Sequence, residues 1–242
     1  MEHKRAARSG INMKAVTDKF NAILFDLDGT LINTIPDVRL ALNHTLELFG
    51  EEGIAADEIY NLVGKGARHM LEKAFALKKR KMGASEIDMA LTGYLDYYMA
   101  HPVVATEVYP DVMSVLKELE KAGFNLGICT NKPGVITRIV LDKLNLTGLF
   151  SAIICGDEVD QPKPHAQHVF DVITQMHASK SHAIFVGDSE IDRKSAKNAN
   201  LPFIGVSYGY DLDKNAQGIL INHFNELPAA INTIAAAMEE NL

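Results

Sequence analysis

In the stretch AILFDLDGTLINT (residues 22–34), Asp26 and Asp28 stand one residue apart directly after an apolar run, and a glycine and a threonine follow. Two like charges at the end of a buried strand are costly unless something compensates them. In extended backbone, positions i and i+2 point the same way. Both carboxylates can therefore address one ligand while Leu27 turns into the core. Other chemistry-bearing groups come much later. Thr130, Asn131 and Lys132 lie in ICTNKP (128–133), Lys163 in QPKPH (161–165), and Asp188 and Asp192 in GDSEID (187–192).

Carboxylates, a hydroxyl and a lysine brought to one place suit phosphoryl transfer. Aspartate can attack phosphorus as a covalent nucleophile, which makes Asp26 the candidate. Carboxylates this close need a cation between them. Mg2+ is the expected cofactor, because it is hard, prefers oxygen and keeps water and phosphate in its shell. The ion would also shield Asp26 from the anion it attacks. Thr130 and Lys163 are candidates to hold the phosphoryl oxygens and balance charge. Gly29 lets the backbone turn tightly beside the phosphate.

These groups follow short apolar runs: AILFDLD (22–28), NLGICTN (125–131), SAIICGD (151–157), HAIFVGD (182–188) and PFIGVSYG (202–209). The runs are continuous, not alternating, as in parallel strands buried on both faces. Helical patterns separate them, with Val112, Val115, Leu116 and Leu119 on one face and Ile136, Ile139 and Val140 on another. The expected fold is α/β, a doubly wound parallel sheet of Rossmann-like form, whose strand ends converge on one crevice. From about Pro36 to Tyr109 no strand is legible, and about four helical segments are expected. One carries the stripe Val38, Leu42, Leu46 and Phe49, and another opens with a capping box from Ser85 to Asp88. An inserted all-helical module at 37–109 is therefore expected, on a core of 20–36 and 110–242. Residues 1–19, basic at the start and without an apolar core, read as a disordered arm.

The chain has 242 residues, 47% hydrophobic and 23% charged, with net charge −7. The acidic balance argues against nucleic acid and against anionic membranes as partners. No apolar run is long enough for a membrane span. Cys129 and Cys155 read as buried thiols of a reducing, cytoplasmic compartment. The basic run KKRK (78–81) reads as a solvated helix end, and Tyr94, Tyr97 and Tyr98 as packing. His165 and His168 lack a third soft ligand for a metal site. Alone, a DG pair reads equally well as a turn, and Thr130 as the cap of the next helix.

Taken in order, DLDGTLINT, ICTNKP, KPH and GDSEID resemble the four motifs of the haloacid dehalogenase superfamily of phosphatases. The helical interval matches the place of that superfamily's cap. Within it, YPDVMSVLKELEKAGFNLGICTNKP, GVSYGYD and LVGKGARHML are most similar to the phosphoglycolate phosphatase branch. The resemblance implies a Mg2+-dependent phosphomonoesterase of small phosphorylated metabolites, with 2-phosphoglycolate as the foremost substrate. A sugar-phosphate phosphatase, such as one for N-acetylmuramic acid 6-phosphate, and a phosphosugar mutase are the alternatives. It implies that Asp26 is the nucleophile and Asp28 the acid and base. Asp26, the backbone carbonyl of Asp28, and Asp188 would hold the metal. Thr130, Asn131 and Lys163 would grip phosphate, with Ser189 and Asp192 behind them. Gly64, Lys65 and Gly66 would form a cap loop that meets the substrate. The superfamily commonly has aspartate where this chain has Asn33 and serine where it has Thr34. A monomer or homodimer is expected.

Overall fold

A computed structural model describes residues 16–211 and 218–239. Its strands are β1 Ala22–Phe25, β2 Ile32–Asn33, β3 Glu107–Val108, β4 Asn125–Thr130, β5 Ala152–Cys155, β6 Ala183–Gly187, β7 Phe203–Val206 and β8 Ile219–Ile221. Six of them form one parallel sheet in the order β5-β4-β1-β6-β7-β8. The central strand β1 is wholly buried, and its residues alternate between two cores. Ile23 and Phe25 join one apolar cluster, Ala22 and Leu24 the other. The strand β6 splits the same way, with Ile184 and Val186 facing one cluster and Ala183 and Phe185 the opposite one. An apolar run without alternation thus becomes a strand covered on both faces.

The helices are α1 Ile35–Leu48, α2 Ala67–Leu77, α3 Ala84–Ala100, α4 Val112–Lys121, α5 Gly134–Lys143, α6 Ala166–Gln175, α7 Glu190–Ala199 and α8 Leu227–Glu239. Between β2 and β3 lie α1, α2, α3 and one 3-10 turn, Ile59–Asn61. Val38, Leu42 and Leu46 of α1 are buried with Met70, Leu71 and Phe75 of α2 and Ile87, Tyr94 and Tyr98 of α3.

Several local expectations are corrected. The strand β3 lies inside the interval read as purely helical. It pairs antiparallel with β2, Ile32 opposite Val108 and Asn33 opposite Glu107, and this ribbon brackets the helical insert. Two residues are too few to display a period. The strand β8 went unread for the same reason. The start of α3 is capped by Glu86, which accepts the Gly83 N–H at 2.8 Å, and not by a Ser85–Asp88 box. Asp88 instead pairs with Arg68. In KKRK, Arg80 is not merely solvated: its guanidinium lies over Phe49 and Phe75. Of the arm expected at 1–19, residues 1–15 lie outside the described residues. Val16 and Phe20, one helical turn apart, are buried in the core, and the Phe20 N–H bonds the Val16 carbonyl.

Asp37, in the first turn of α1, holds the far end of the insert. Its buried carboxylate accepts the backbone N–H groups of Val104, Ala105 and Thr106 at 3.0, 2.9 and 2.9 Å, and the Thr106 hydroxyl at 2.7 Å. Removing it orphans two buried donors at once, the Thr106 N–H and hydroxyl, and frees two N–H groups nearer the surface. Asp37→Ala is expected to cost about 3 kcal/mol in urea unfolding, because each unsatisfied buried group costs about 1–3 kcal/mol. A loss below about 0.5 kcal/mol would show that water replaces the carboxylate freely.

Candidate active site

The strand β1 delivers Asp26 and Asp28 to the carboxyl end of the sheet. The Asp26 N–H still bonds the Val186 carbonyl of β6 at 3.0 Å, so its backbone is fixed by the ladder. The chain then turns sharply, with the Thr30 and Leu31 N–H groups bonding the Leu27 carbonyl. Gly29 sits in this turn at φ +89°, and a Cβ there would lie 2.2 Å from Asp188 Oδ2. Conformation and close approach both demand glycine.

Asp188 follows β6. Its carboxylate accepts the Thr30 hydroxyl at 2.8 Å and the Tyr210 N–H at 2.7 Å. One carboxylate oxygen from each of Asp26, Asp188 and Asp192 lies within 4.8 Å of the others. Lys163 Nζ stands 2.9 Å from Asp26 Oδ1 and 2.6 Å from Asp192 Oδ1. The other Asp192 oxygen caps α7, accepting the Ser189 N–H at 3.1 Å and its hydroxyl at 2.6 Å. Both Asp192 oxygens are thus engaged. Asp26 Oδ1, in contrast, is buried without a partner in hydrogen-bond geometry; its contact with Lys163 is an ion pair of poor angle. An orphaned carboxylate oxygen among three acids fits a hard divalent cation, with Asp26 and Asp188 better free to ligate than Asp192.

The electrostatics fit the same reading. Burial, with the Asp192 charge beside it, pushes the Asp26 carboxyl up to about 7 against the pull of Lys163. Burial and the charges of Asp192 and Asp26 hold Asp188 well above the usual carboxylate range. Burial opposes charge on Lys163, but Asp192 and Asp26 more than reverse it and raise its pKa.

Asp28 is held differently. Thr34 donates its hydroxyl to Asp28 Oδ1 at 2.8 Å, and Lys132 Nζ donates to Oδ2 at 3.1 Å. Tyr210 braces this corner from the core: its hydroxyl accepts the Thr34 N–H at 2.9 Å and donates to Asn33 Oδ1 at 3.2 Å. Asn33 and Thr34, the two departures in the first motif, are therefore built into the site's support.

A pocket between the insert and the strand ends gathers these groups. Asp26, Asp28, Thr130, Asn131, Asp188 and Ser189 line it, as do Gly64 and Gly66. Both glycines have positive φ, +98° and +87°. Lys65 is exposed and does not line the pocket. The Asn131 amide donates to the carbonyls of Gly64 and Lys163 at 3.1 and 3.0 Å, joining the insert loop to the core. Thr130 does not cap α5, which starts after Pro133; its hydroxyl accepts the Lys132 N–H at 3.2 Å. Residues to which the sequence analysis assigned no role in the site are Lys132, Thr34, Tyr98 and Tyr210. Lys132 carried a signal, since it is the only cation in ICTNKP. Tyr98 is more than packing: its hydroxyl accepts from Lys132 Nζ at 3.2 Å. The nitrogens of His168 are both used, Nδ1 accepting the Lys163 N–H and Nε2 donating to the Ile154 carbonyl. That buried ring supports the lysine loop and is not a metal ligand. Cys129 and Cys155 are free and buried.

Comparison with known proteins agrees with this geometry. The family model for haloacid dehalogenase-like hydrolases matches residues 23–206. A phosphoglycolate phosphatase of Agrobacterium fabrum is 38% identical over 187 residues, covering 77% of this chain and 80% of that protein. One from Colwellia psychrerythraea is 34% identical, covering 85% and 94%. Among solved structures, a predicted phosphoglycolate phosphatase from Haemophilus somnus 129pt superposes with TM-score 0.78 at 25% identity, over 86% of this chain and 96% of that one. The family match spans most of the chain, and the fold is shared with solved structures, so the chain belongs to the haloacid dehalogenase-like hydrolase family.

Proposed function

We propose that the protein is a Mg2+-dependent phosphomonoesterase that hydrolyses 2-phosphoglycolate to glycolate and phosphate through phospho-Asp26. The observation that carries this reading is the buried Asp26 oxygen, without a partner in hydrogen-bond geometry, set beside Asp188 in the pocket lining and 2.9 Å from Lys163 behind it. The names of the relatives supply the substrate. In this reading the Asp26 carboxylate attacks phosphorus, and the bond to the leaving oxygen breaks as Asp28 gives that oxygen a proton. Asp28 then takes a proton from water, which attacks the phosphoaspartate and releases inorganic phosphate. Thr130 and Lys163 hold the phosphoryl oxygens, and Asn131 ties their loop to Gly64. Mg2+, held by Asp26, Asp188 and the Asp28 carbonyl, would neutralise charge on the transferring group. Residues 37–109 act as a cap whose Gly64–Gly66 loop meets the substrate and excludes water. No helix among the described residues is long and apolar enough to cross a membrane. A cytoplasmic enzyme of small metabolites is part of the proposal.

The test is phosphate release with Mg2+ from 2-phosphoglycolate, N-acetylmuramic acid 6-phosphate, glucose 1-phosphate and an aryl phosphate, compared as kcat/KM. Highest efficiency on 2-phosphoglycolate is expected. A sugar phosphate in first place would move the substrate, and isomerised sugar without phosphate release would make the protein a mutase.

The metal assignment carries a pH signature. Carboxyls raised in the folded state keep protons that the unfolded chain loses above about pH 4. In the metal-free protein Asp26 therefore lowers stability as pH rises from about 4 to about 7, and Asp188 acts in the same direction. Cation and proton compete for the same oxygens, so apparent Mg2+ affinity should rise about tenfold per pH unit from pH 5 to 7. The gain in Tm on adding Mg2+ should be clearly larger at pH 7.5 than at pH 5.5. Equal gains would place the ion elsewhere.

A further inference from the structure

Among the described residues, the pocket has one cationic side chain in its lining, Lys132. Its side chain is 3% exposed. Nζ lies 3.1 Å from Asp28 Oδ2, 3.2 Å from the Tyr98 hydroxyl and 4.7 Å from the centre of the Tyr98 ring. An ammonium carries three donors. These contacts leave one N–H without a partner among the described residues. Orienting Asp28 alone does not explain a buried lysine, because Thr34 already fixes the other Asp28 oxygen. A buried ion pair also rarely outperforms apolar residues of the same volume.

The wall facing it is of the opposite character. The insert contributes Val38, Val63, Ala67 and Met70 to the pocket, with Tyr94 as its one polar-tipped side chain. A leaving group rich in hydroxyls would bury them against hydrocarbon, at about 1–3 kcal/mol for each one left unpaired. A short leaving group with a single anionic end would leave only that end to satisfy, and in low dielectric one ammonium satisfies it strongly.

We propose that Lys132 is the specificity-determining residue of this site, holding the carboxylate of a short phosphorylated hydroxy acid. The substrate class is an O-phosphorylated acid whose carboxylate sits one carbon from the ester oxygen. The proposal rests on the reading above, in which Asp28 faces the leaving oxygen. Asp28 then lies about 2.7 Å from that oxygen. Lys132 Nζ, 3.1 Å from the same carboxyl, is within reach of an anion one carbon away, and a longer spacer overshoots it.

The experiment compares two esters of nearly equal size, 2-phosphoglycolate and 2-hydroxyethyl phosphate, in wild type, Lys132→Met, Lys132→Gln and Lys132→Arg. Wild type is expected to favour 2-phosphoglycolate by about 10^2 in kcat/KM. Lys132→Met and Lys132→Gln should lose about 10^2 on 2-phosphoglycolate, chiefly through KM, and under about tenfold on the uncharged ester. Lys132→Arg should keep most of the preference. Equal losses on both esters would reduce Lys132 to a prop for Asp28 and overturn the proposal. A wild-type ratio near one would overturn it even if no variant folds. Absence of phosphate release from either ester by wild type would instead remove the hydrolase reading, and this proposal with it.

Discussion

Asp26→Asn is expected to lower kcat by about 10^4-fold or more at saturating substrate and Mg2+, because the amide cannot form the covalent intermediate. The substitution keeps volume and shape, so the loss measures chemistry and not folding. It should even relieve the metal-free protein. Asp26 is a strained carboxylate, pushed up to about 7 by burial and by Asp192. Its Oδ1 lacks a hydrogen-bond partner. An active site that stores like charges this way trades stability for function. Metal-free Asp26→Asn should therefore melt at or above wild type at pH 8, while the Tm gain from Mg2+ shrinks. Acid-quenched wild-type enzyme should carry labelled phosphate from substrate and the variant none. A kcat within tenfold of wild type would show that another group attacks phosphorus.

What was legible in the sequence and what was not divides along a physical line. The strands β1, β4 and β6 each end in, or run directly into, a residue that does chemistry or supports it. An apolar run broken by Asp or Thr is visible at the level of single residues. The acids Asp26, Asp28, Asp188 and Asp192 could be gathered because parallel strands share one carboxyl end. The hinge ribbon of β2 and β3 could not be read, being two residues on each side and held by register across the whole insert. The supports of Asp28 were hidden for another reason. Thr34, Tyr98, Lys132 and Tyr210 come from four separate stretches, and only the packing of α3 against the core brings Tyr98 to Lys132. A tyrosine at helical spacing reads as core until its hydroxyl is found beside an ammonium. Asp37 makes the same point for stability. It looked like an ordinary first-turn acid, yet it bonds a chain segment almost seventy positions away, as in its contact with the Thr106 N–H across 69 residues.

Lys163→Met is expected to cost about 10^3-fold or more in kcat/KM and about 3–5 kcal/mol in the metal-free protein, the range seen when one partner of a buried ion pair is removed. Methionine keeps an unbranched side chain of similar length beside the Phe185 ring, over which Nζ lies at 5.7 Å, so packing should change little. What is lost is the one cation facing both Asp26 and Asp192. Asp192 is fully buried and keeps the Ser189 N–H and hydroxyl, which orient it but cannot neutralise it. Without the ammonium Asp26 holds its proton more tightly, because Lys163 no longer opposes the burial that raises its pKa. The folded variant then binds more protons than the unfolded chain over a wider range, so its stability falls as pH rises. Urea unfolding should accordingly show a larger deficit against wild type at pH 8 than at pH 5.5. Mg2+ should recover part of the pH 8 deficit by replacing positive charge beside Asp26, without recovering turnover, since the phosphoryl oxygens still lack their lysine. An equal deficit at both pH values would mean that Lys163 acts through packing alone. Activity within tenfold of wild type would show that the phosphoryl oxygens are held without Lys163.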